Sequence, residues 1–141
     1  FFFKQKTAYE ILTCDWSSDV CSSDLKAVKV RILGIDAPEI CQVWGEQSHS
    51  MLQSVTLGRD VQVLGSHTDA YGRLLAHIFL QGHDVGAWMV LHGYAWSYAF
   101  KSHRGLYNGE QMAAQSVQAG LFGNSSAMEP RFFRRRFGNC P

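Results

Sequence analysis

A chain of 141 residues is long enough for one domain whose core needs no covalent stapling. Apolar residues make up 46% and charged residues 18%, which is ordinary for a globular protein and excludes a disordered chain. No apolar run reaches the length of a membrane-spanning helix, so we expect no membrane partner. The formal net charge of +1 favours no class of partner by itself.

Residues 1–25 differ from the rest, and no period of 2 or 3.6 persists through residues 4–25. KQKTAYE and DWSSDVCSSDL resemble, in this order, the two translated halves of an adapter used in short-read DNA sequencing, with ILTC at the place of the sample index. We therefore interpret residues 1–25 as a non-native segment and expect it to be disordered. A genuine irregular extension is the alternative. If the segment is non-native, the cysteines and aspartates of residues 1–25 carry no functional meaning.

Residues 26–141 form the second unit, which begins with a predicted strand in KAVKVRILGI. Val28, Val30 and Ile32 alternate there with Lys29 and Arg31, as in a half-buried strand. The next segment, VWGEQSHSMLQSVTLG, has the apolar spacing of a helix and ends at Gly58, which suits a C-terminal cap. The residues predicted on its inner face are Trp44, Ser48, Met51, Leu52 and Val55.

The remaining elements follow in chain order. DVQVLGS and RLLAHIFLQG predict two strands joined by the loop HTDAYG. Asp84 is predicted to cap a short helix, with Val85, Trp88 and Met89 inward. YAWSYAF predicts a short strand or an ordered loop, and LYNGEQMAAQSVQAGLFG a last helix. The stripe predicted to face inward on that helix is Ala113, Val117 and Leu121. The order predicts an α+β fold with a mainly β core, built on a small antiparallel sheet.

The motif VRILGIDAPE places two carboxylates on a loop at a strand end. Asp36 and Glu39 are three residues apart, and Pro38 stiffens the backbone between them. Calcium takes six to eight oxygen ligands and accepts backbone carbonyls among them, so this loop is a candidate cation site. A strand-end Arg/Asp pair is also typical of an ordinary surface ion pair, and the motif alone does not separate the two interpretations.

The motif DAYGR places Asp69, Tyr71 and Arg73 in a loop that leads into a strand. The planar guanidinium group matches the oxygens of a phosphate, so Arg31 and Arg73 together would suit a phosphate group held near a cation. The same five residues are typical of a simple turn, which is the alternative.

Taken together and in order, these motifs resemble the thermonuclease, or staphylococcal-nuclease-like, family. The resemblance rests on VRILGIDAPE, GEQ at 45–47, DAYGR, GYAW at 93–96 and GLF at 120–122, and it extends over residues 26–136. It implies an OB-fold-like five-stranded barrel with three helices, a barrel type that commonly binds oligonucleotides. It also implies a monomeric, secreted or periplasmic nuclease that uses Ca²⁺. Such an enzyme would hydrolyse the P–O5′ bond of DNA and RNA, single-stranded or melted, and leave 3′-phosphates.

The resemblance also implies a role for each site residue. Asp36 and the backbone carbonyl of Ala37 would be calcium ligands, and Glu39 would orient the attacking water, as general base or through hydrogen bonds. Arg31 and Arg73 would bind the scissile phosphate and stabilise the charge that develops on it. Tyr71 would lie beside the nucleotide phosphates.

One expected ligand is missing. The family places a further calcium-binding aspartate in a D-G-D-T-type turn about fourteen residues before the arginine, and that position is Ser17, inside the adapter-like segment. We therefore expect the native first strand and its aspartate, with any signal peptide, to be absent or replaced. The parent protein would be an active nuclease, and this chain would be impaired. The alternative is a catalytically inactive OB-fold module that binds nucleic acid.

Two features of residues 26–141 stay open at the level of sequence. Cys41 and Cys140 would form a disulfide in a secreted protein, or they are two free thiols. The basic stretch RFFRRRF would lie along a bound nucleic acid, or Phe132 and Phe133 would pack the tail onto the barrel.

Overall fold

The computed structural model describes residues 9–13, 26–99 and 104–141. Its strands are β1 Tyr9–Thr13, β2 Lys26–Ile32, β3 Ile35–Asp36, β4 Gln62–Thr68, β5 Leu74–Leu80, β6 His83–Asp84 and β7 Trp96–Ser97. Its helices are α1 Gly45–Thr56, α2 Val85–Leu91, α3 Asn108–Ser116 and α4 Pro130–Phe137, with a 3₁₀ turn at Gly120–Gly123. The α+β class is confirmed. No helix in these ranges combines the length and the apolarity needed to span a bilayer.

The main sheet has the strand order β1-β2-β5-β4, and β6 pairs with β5. A separate two-stranded sheet joins β3 to β7. The prediction of an antiparallel sheet is wrong for one pair, because β2 and β5 are parallel, with Val30 opposite Leu74. The connection through α1 and β4 returns the chain to β2 in the same direction, which a hairpin cannot do. Within the described ranges the strands do not close into a barrel.

The core lies between the sheet and helices α1 and α2. Val30 and Ile32 of β2 are buried, as the alternation predicts, while Lys29 is exposed. Ala76 and Ile78 continue the same face on β5. The side chains that cover this face come from α1, α2 and the segments after them, and include Leu52, Val85, Met89, Val90, Ala95 and Tyr107.

β1 lies in the adapter-like segment, where we expected disorder. Tyr9–Thr13 pair antiparallel with β2, Tyr9 opposite Val30 and Thr13 opposite Lys26. An open strand edge offers a row of backbone donors and acceptors to any extended chain, so such pairing does not require a particular sequence. The rest of residues 1–25 lies outside the described ranges.

The first two predicted helices are confirmed. Ser48 and Leu52 are buried on α1, and Asp84 caps α2 by accepting a hydrogen bond from the Ala87 N–H at 3.2 Å. The inner stripe predicted for the last helix is wrong. α3 ends at Ser116, Ala114 rather than Ala113 is buried, and Val117 is 74% exposed.

The reason for that error is a chain reversal after α3. Gln118 has a φ of 52°, which ends helical geometry. Leu121 is buried, as predicted, but it lies in the 3₁₀ turn that follows and not in α3. The four-residue spacing that linked Val117 to Leu121 therefore does not apply.

α4 adds a helix to the three that the resemblance implies. Pro130 stands at its first turn, where a missing N–H costs nothing, and Gly138 follows it with a φ of 77°. Four of its eight residues are arginines, and the other four are Pro130 and three phenylalanines. The sequence analysis interpreted these residues as a basic stretch and predicted no helix there.

Candidate active site

Asp36 is placed by a tight turn and a short strand. Gly34 has a φ of 79°, so the chain reverses after β2 and enters β3. Asp36 then pairs with Trp96 of β7, and its carboxylate is almost fully buried, with 5% of the side chain exposed. A buried carboxylate needs a positive or hydrogen-bonding partner, because removing an unpaired charge from water is costly.

Glu39 is held by the loop that follows β3. Its N–H donates to Oε1 of Gln42 at 3.2 Å, and the Gln42 N–H donates to the Glu39 carbonyl at 2.8 Å. Gly45 begins α1 against this same carbonyl, and a Cβ there would overlap it. The loop is therefore packed against the start of α1, and Glu39 is buried with its side chain 8% exposed.

The two carboxylates converge on one cation, the guanidinium of Arg134 from α4. Nη2 of Arg134 lies 3.0 Å from Oδ2 of Asp36, and Nη1 lies 2.8 Å from Oε1 of Glu39. Both nitrogens also lie 3.3 Å from Oδ1 of Asp36. Sequence reasoning missed this residue. Its only signal was the basic run near the C-terminus, which gives no indication of where a single arginine points.

Arg134, Asp36 and Glu39 form one cluster of three charged groups. Burial alone would lower the pKa of the Arg134 guanidinium, but the hydrogen bonds and charges of Asp36 and Glu39 outweigh burial and raise that pKa above its ordinary value. The arginine keeps 30% of its side chain exposed, whereas both carboxylates are buried. Removing the arginine would leave two uncompensated buried charges, which is strongly destabilising in such pairs.

α4 is anchored on both sides of Arg134. Cys41 and Cys140 form a disulfide with a Cα–Cα distance of 5.8 Å, so the disulfide alternative holds. On the other side, Nε2 of Gln42 donates to the Met128 carbonyl. Both links join the tail to the loop that carries Glu39. Gln42 thus orients this loop and binds the tail, a role that the sequence did not reveal.

The DAYGR loop is a turn organised by Asp69. Its Oδ1 accepts hydrogen bonds from the N–H groups of Tyr71 at 2.9 Å and Arg73 at 3.0 Å. Gly72 completes the turn with a φ of 75°. The other oxygen, Oδ2, pairs with the guanidinium of Arg73, with Nε at 2.7 Å and Nη2 at 2.6 Å. Asp69, which was quoted only as part of the motif, therefore positions Arg73.

The same contacts set the charge state of Asp69. Desolvation raises the pKa of its carboxyl, but the hydrogen bonds from Arg73 and Tyr71 and the charge of Arg73 outweigh it, so the pKa lies below its ordinary value. Arg73 is 7% exposed, and its Nη1 is buried without a hydrogen-bond partner in the described part of the chain. A buried donor without a partner is uncommon, and such atoms are found at catalytic and ion-binding sites among other places. Tyr71 is 68% exposed, with its ring centroid 5.4 Å from the Arg73 guanidinium carbon.

Arg31 lies on β2, and Arg73 directly precedes β5, which pairs with β2 in parallel. Leu75 lies opposite Arg31 in the parallel pair, and Arg73 precedes Leu75 by two residues. Side chains alternate along a strand, so Arg31 belongs to the face away from Val30, whereas Arg73 lies just before β5 and is buried. Across residues 26–99 and 104–141, no hydrogen bond joins either arginine to Asp36 or Glu39. The roles predicted for these residues and for the buried Ala37 stay predictions.

The oxygen donors fit a hard cation in type but are few in number. Asp36 and Glu39 lie close enough to share one positive group, and the guanidinium nitrogens of Arg134 stand where a metal ion would find these oxygens. In the described ranges, however, no cluster of three or more His, Cys, Asp or Glu side chains could hold a metal. The position of the third expected carboxylate falls at Ser17, outside those ranges.

The fold and these residues define a class of protein. Residues 29–124 match the sequence profile of the family described as staphylococcal nuclease homologue. The match covers more than half of the chain and includes every predicted site residue. The chain therefore belongs to the staphylococcal-nuclease-like family. α4 and Cys140 lie beyond the matched residues.

Individual relatives agree with this assignment. The chain is 34% identical over 111 residues to a protein from Haemophilus influenzae named uncharacterized endonuclease, covering 79% of this chain and 62% of that protein. It is 33% identical over 112 residues to an Escherichia coli protein of the same name, covering 79% and 73%. It is 30% identical over 127 residues to the micrococcal nuclease of Shigella flexneri, covering 82% and 72%.

Proposed function

We propose that the parent of this chain is a calcium-dependent endonuclease that acts on single-stranded or melted DNA and RNA. The observation that carries the proposal is the convergence of the Asp36 and Glu39 carboxylates on one cation. Two buried anionic groups this close together need a positive partner, and hard divalent ions prefer such oxygens. The names of the relatives, endonuclease and micrococcal nuclease, support the same activity.

Each residue has a defined task in this proposal. Asp36 and the Ala37 carbonyl would hold the ion, which when bound supplies Lewis-acid polarisation of a phosphoryl oxygen. Glu39 takes up the proton of a water molecule or orients it by hydrogen bonding as the water attacks phosphorus. The P–O5′ bond breaks and the departing O5′ takes a proton from solvent water, which leaves a 3′-phosphate on one fragment and a 5′-hydroxyl on the other. Arg31 and Arg73 bind the phosphate oxygens, for which the planar guanidinium group is suited, and Nη1 of Arg73 is not used by Asp69.

We further propose that this chain is less active than its parent and that the parent is secreted or periplasmic. Two acidic side chains provide fewer anionic ligands than calcium usually finds. The Cys41–Cys140 disulfide supports an oxidising compartment, where such bonds persist. The alternative, a module that binds nucleic acid without cleaving it, is favoured by the same shortage of ligands.

The test is cleavage of single-stranded DNA and RNA with calcium, with and without a chelator. We expect cleavage that the chelator abolishes and that Glu39→Gln reduces by at least about a hundredfold, the size typical of general-base catalysis. Glu46→Gln, an exposed glutamate on α1, is the matched control and should retain activity. A version with a D-G-D-T-type first strand restored should be more active than this chain.

Three results would count against parts of the proposal. Binding of single-stranded DNA without cleavage, in both this chain and the restored one, would favour the non-catalytic module. Full activity in the presence of chelator would exclude the calcium requirement. Equal rates for the two chains would contradict the expected impairment.

A further inference from the structure

We infer that Arg134 is an internal counter-cation that competes with a divalent metal ion for Asp36 and Glu39, and thereby sets the metal affinity of the site. The inference rests on the proposed function in one respect, that Asp36 is a metal ligand and that Glu39 acts beside the bound ion. It adds Arg134 and Cys140, which the family match does not include, since the match ends at residue 124.

The contacts of Arg134 occupy the oxygens that a metal would need. The guanidinium reaches both oxygens of Asp36, at 3.0 and 3.3 Å, and Oε1 of Glu39 at 2.8 Å. A metal ion at normal coordination distance from these oxygens would meet a like charge at close range, where repulsion in a poorly solvated site is large. The two cations therefore exclude each other, and the ion can bind only when the arginine has left.

Arg134 is able to leave without unfolding the core. It keeps 30% of its side chain exposed, while the carboxylates keep 5% and 8%. α4 contributes only Pro130 to the set of buried residues. Rotation of one long side chain toward water would thus open the carboxylates, and the freed guanidinium would stay beside the site.

The disulfide keeps the competitor close. Cys41 follows Glu39 by two residues, and Cys140 follows Arg134 by six, so the bond ties the arginine to the loop it pairs with. A tethered group acts at a high effective concentration that dilution cannot lower. The apparent metal affinity is then the intrinsic affinity reduced by the fraction of molecules whose carboxylates are open.

The test measures metal binding itself, by calorimetry with Ca²⁺ and by luminescence of bound Tb³⁺, on the full chain. We expect Arg134→Gln to bind Ca²⁺ at least about tenfold more tightly than the unaltered chain, because the open fraction rises. Arg135→Gln is the matched control. It removes one arginine from the same helix, at an exposed position with no carboxylate partner in the described part of the chain, and should change the affinity by less than about twofold.

A purely structural role for Arg134 predicts the opposite sign. If the arginine only positions the carboxylates, its loss weakens metal binding, and that result overturns the inference. Equal affinities overturn it as well. If none of the variants binds metal, both the inference and the calcium requirement of the proposed function fail. Tighter binding without any cleavage supports the inference and rejects the nuclease activity of this chain.

Without metal, Arg134→Gln leaves two buried carboxylates unpaired and could misfold, so a second variant is needed. Arg134→Lys keeps one charge but loses the planar fork, so it should fold and show an intermediate metal affinity. Thermal unfolding with and without Ca²⁺ checks both variants, and calcium should raise the Tm of Arg134→Gln more than that of the unaltered chain. A lysine variant that binds Ca²⁺ no more tightly than the unaltered chain contradicts competition.

The tether is tested by a double-mutant cycle. Cys140→Ser should tighten Ca²⁺ binding when Arg134 is present and have little effect in the Arg134→Gln background, because the disulfide acts through the arginine. An equal change of Ca²⁺ affinity in both backgrounds would show that the disulfide affects the site by a route other than Arg134. The proposed role of the disulfide would then be wrong.

Discussion

At the residue scale, single side chains set the geometry of the charged groups. Asp69 accepts two backbone hydrogen bonds and pairs with the Arg73 guanidinium, so one carboxylate both forms the turn and aims the arginine. Gln42 holds the loop that carries Glu39. Its side chain accepts a hydrogen bond from the Glu39 N–H and donates one to the Met128 carbonyl. Asp69 thus positions Arg73, and Gln42 positions Glu39.

The lowered pKa of Asp69 gives a prediction about pH. A carboxyl whose pKa is lower in the folded than in the unfolded state adds stability above the unfolded value near 3.8, and that stability is lost as the pH falls through the folded value. Asp69→Asn should therefore unfold at lower urea concentration at pH 6, and its deficit should shrink when the pH falls below about 4. Asp60→Asn, an exposed aspartate, is the control. A deficit that grows on acidification would contradict the assignment.

The candidate site was predictable from sequence as far as its local motifs go. Asp36, Glu39 and Arg73 lie in short segments whose strand ends and turns are encoded locally. Arg134 and Gln42 were not predictable, because Arg134 pairs with Asp36 across 98 residues and Gln42 bonds Met128 across 86. No periodicity or spacing carries information about contacts of that range.

At the element scale, α2 shows how one capping residue links several parts of the fold. Asp84 accepts from the Ala87 N–H with Oδ1 and from the Tyr107 hydroxyl with Oδ2, the latter at 2.8 Å. Burial and the contact with Asp84 raise the pKa of Tyr107, so the phenol stays protonated and donates. The cap thereby fixes the segment before α3 against the start of α2.

Asp84→Ala should destabilise the protein by about 2–3 kcal/mol. The lost helix cap accounts for about 1 kcal/mol, and the buried Tyr107 hydroxyl loses a charged acceptor worth about 1.5–3 kcal/mol before relaxation. Asp84→Asn keeps an oxygen at both contacts and should cost clearly less. Urea unfolding of the three proteins measures the difference. Equal losses for Ala and Asn would show that the charge, and not the hydrogen bonds, matters.

Elements with a strong local signal were predicted, and those set by tertiary contacts were not. β2, β5 and α1 have clear periods and a buried face, so their type and orientation followed from sequence. The parallel pairing of β2 with β5 was missed because pairing direction depends on the path of the chain between them. The end of α3 was missed because it is determined by the left-handed Gln118.

At the scale of the whole molecule, the disulfide joins the loop after β3 to the C-terminal tail. Cys41 and Cys140 are separated by 99 residues, so the bond closes nearly the whole domain into one loop. In the chain-entropy description a cross-link of this span restricts the unfolded chain strongly.

Removing this bond should lower the free energy of unfolding by about 2–4 kcal/mol. The measurement is guanidinium unfolding of the oxidised protein, the reduced protein and Cys41→Ser/Cys140→Ser. The reduced and doubly substituted proteins should agree within about 0.5 kcal/mol, since both lack the same constraint. Three coincident unfolding curves would show that the bond does not constrain the unfolded state.

The sequence by itself determined the family motifs, the α+β class, the main strands and the first two helices, because these depend on local spacing and turn chemistry. Only the tertiary structure decided what faces the two carboxylates. α4 lies in a basic stretch for which no helix was predicted, and its position follows from a disulfide and a charge pair that span almost the full domain. The residue that completes the charge balance of the site could therefore be identified only once the chain was folded.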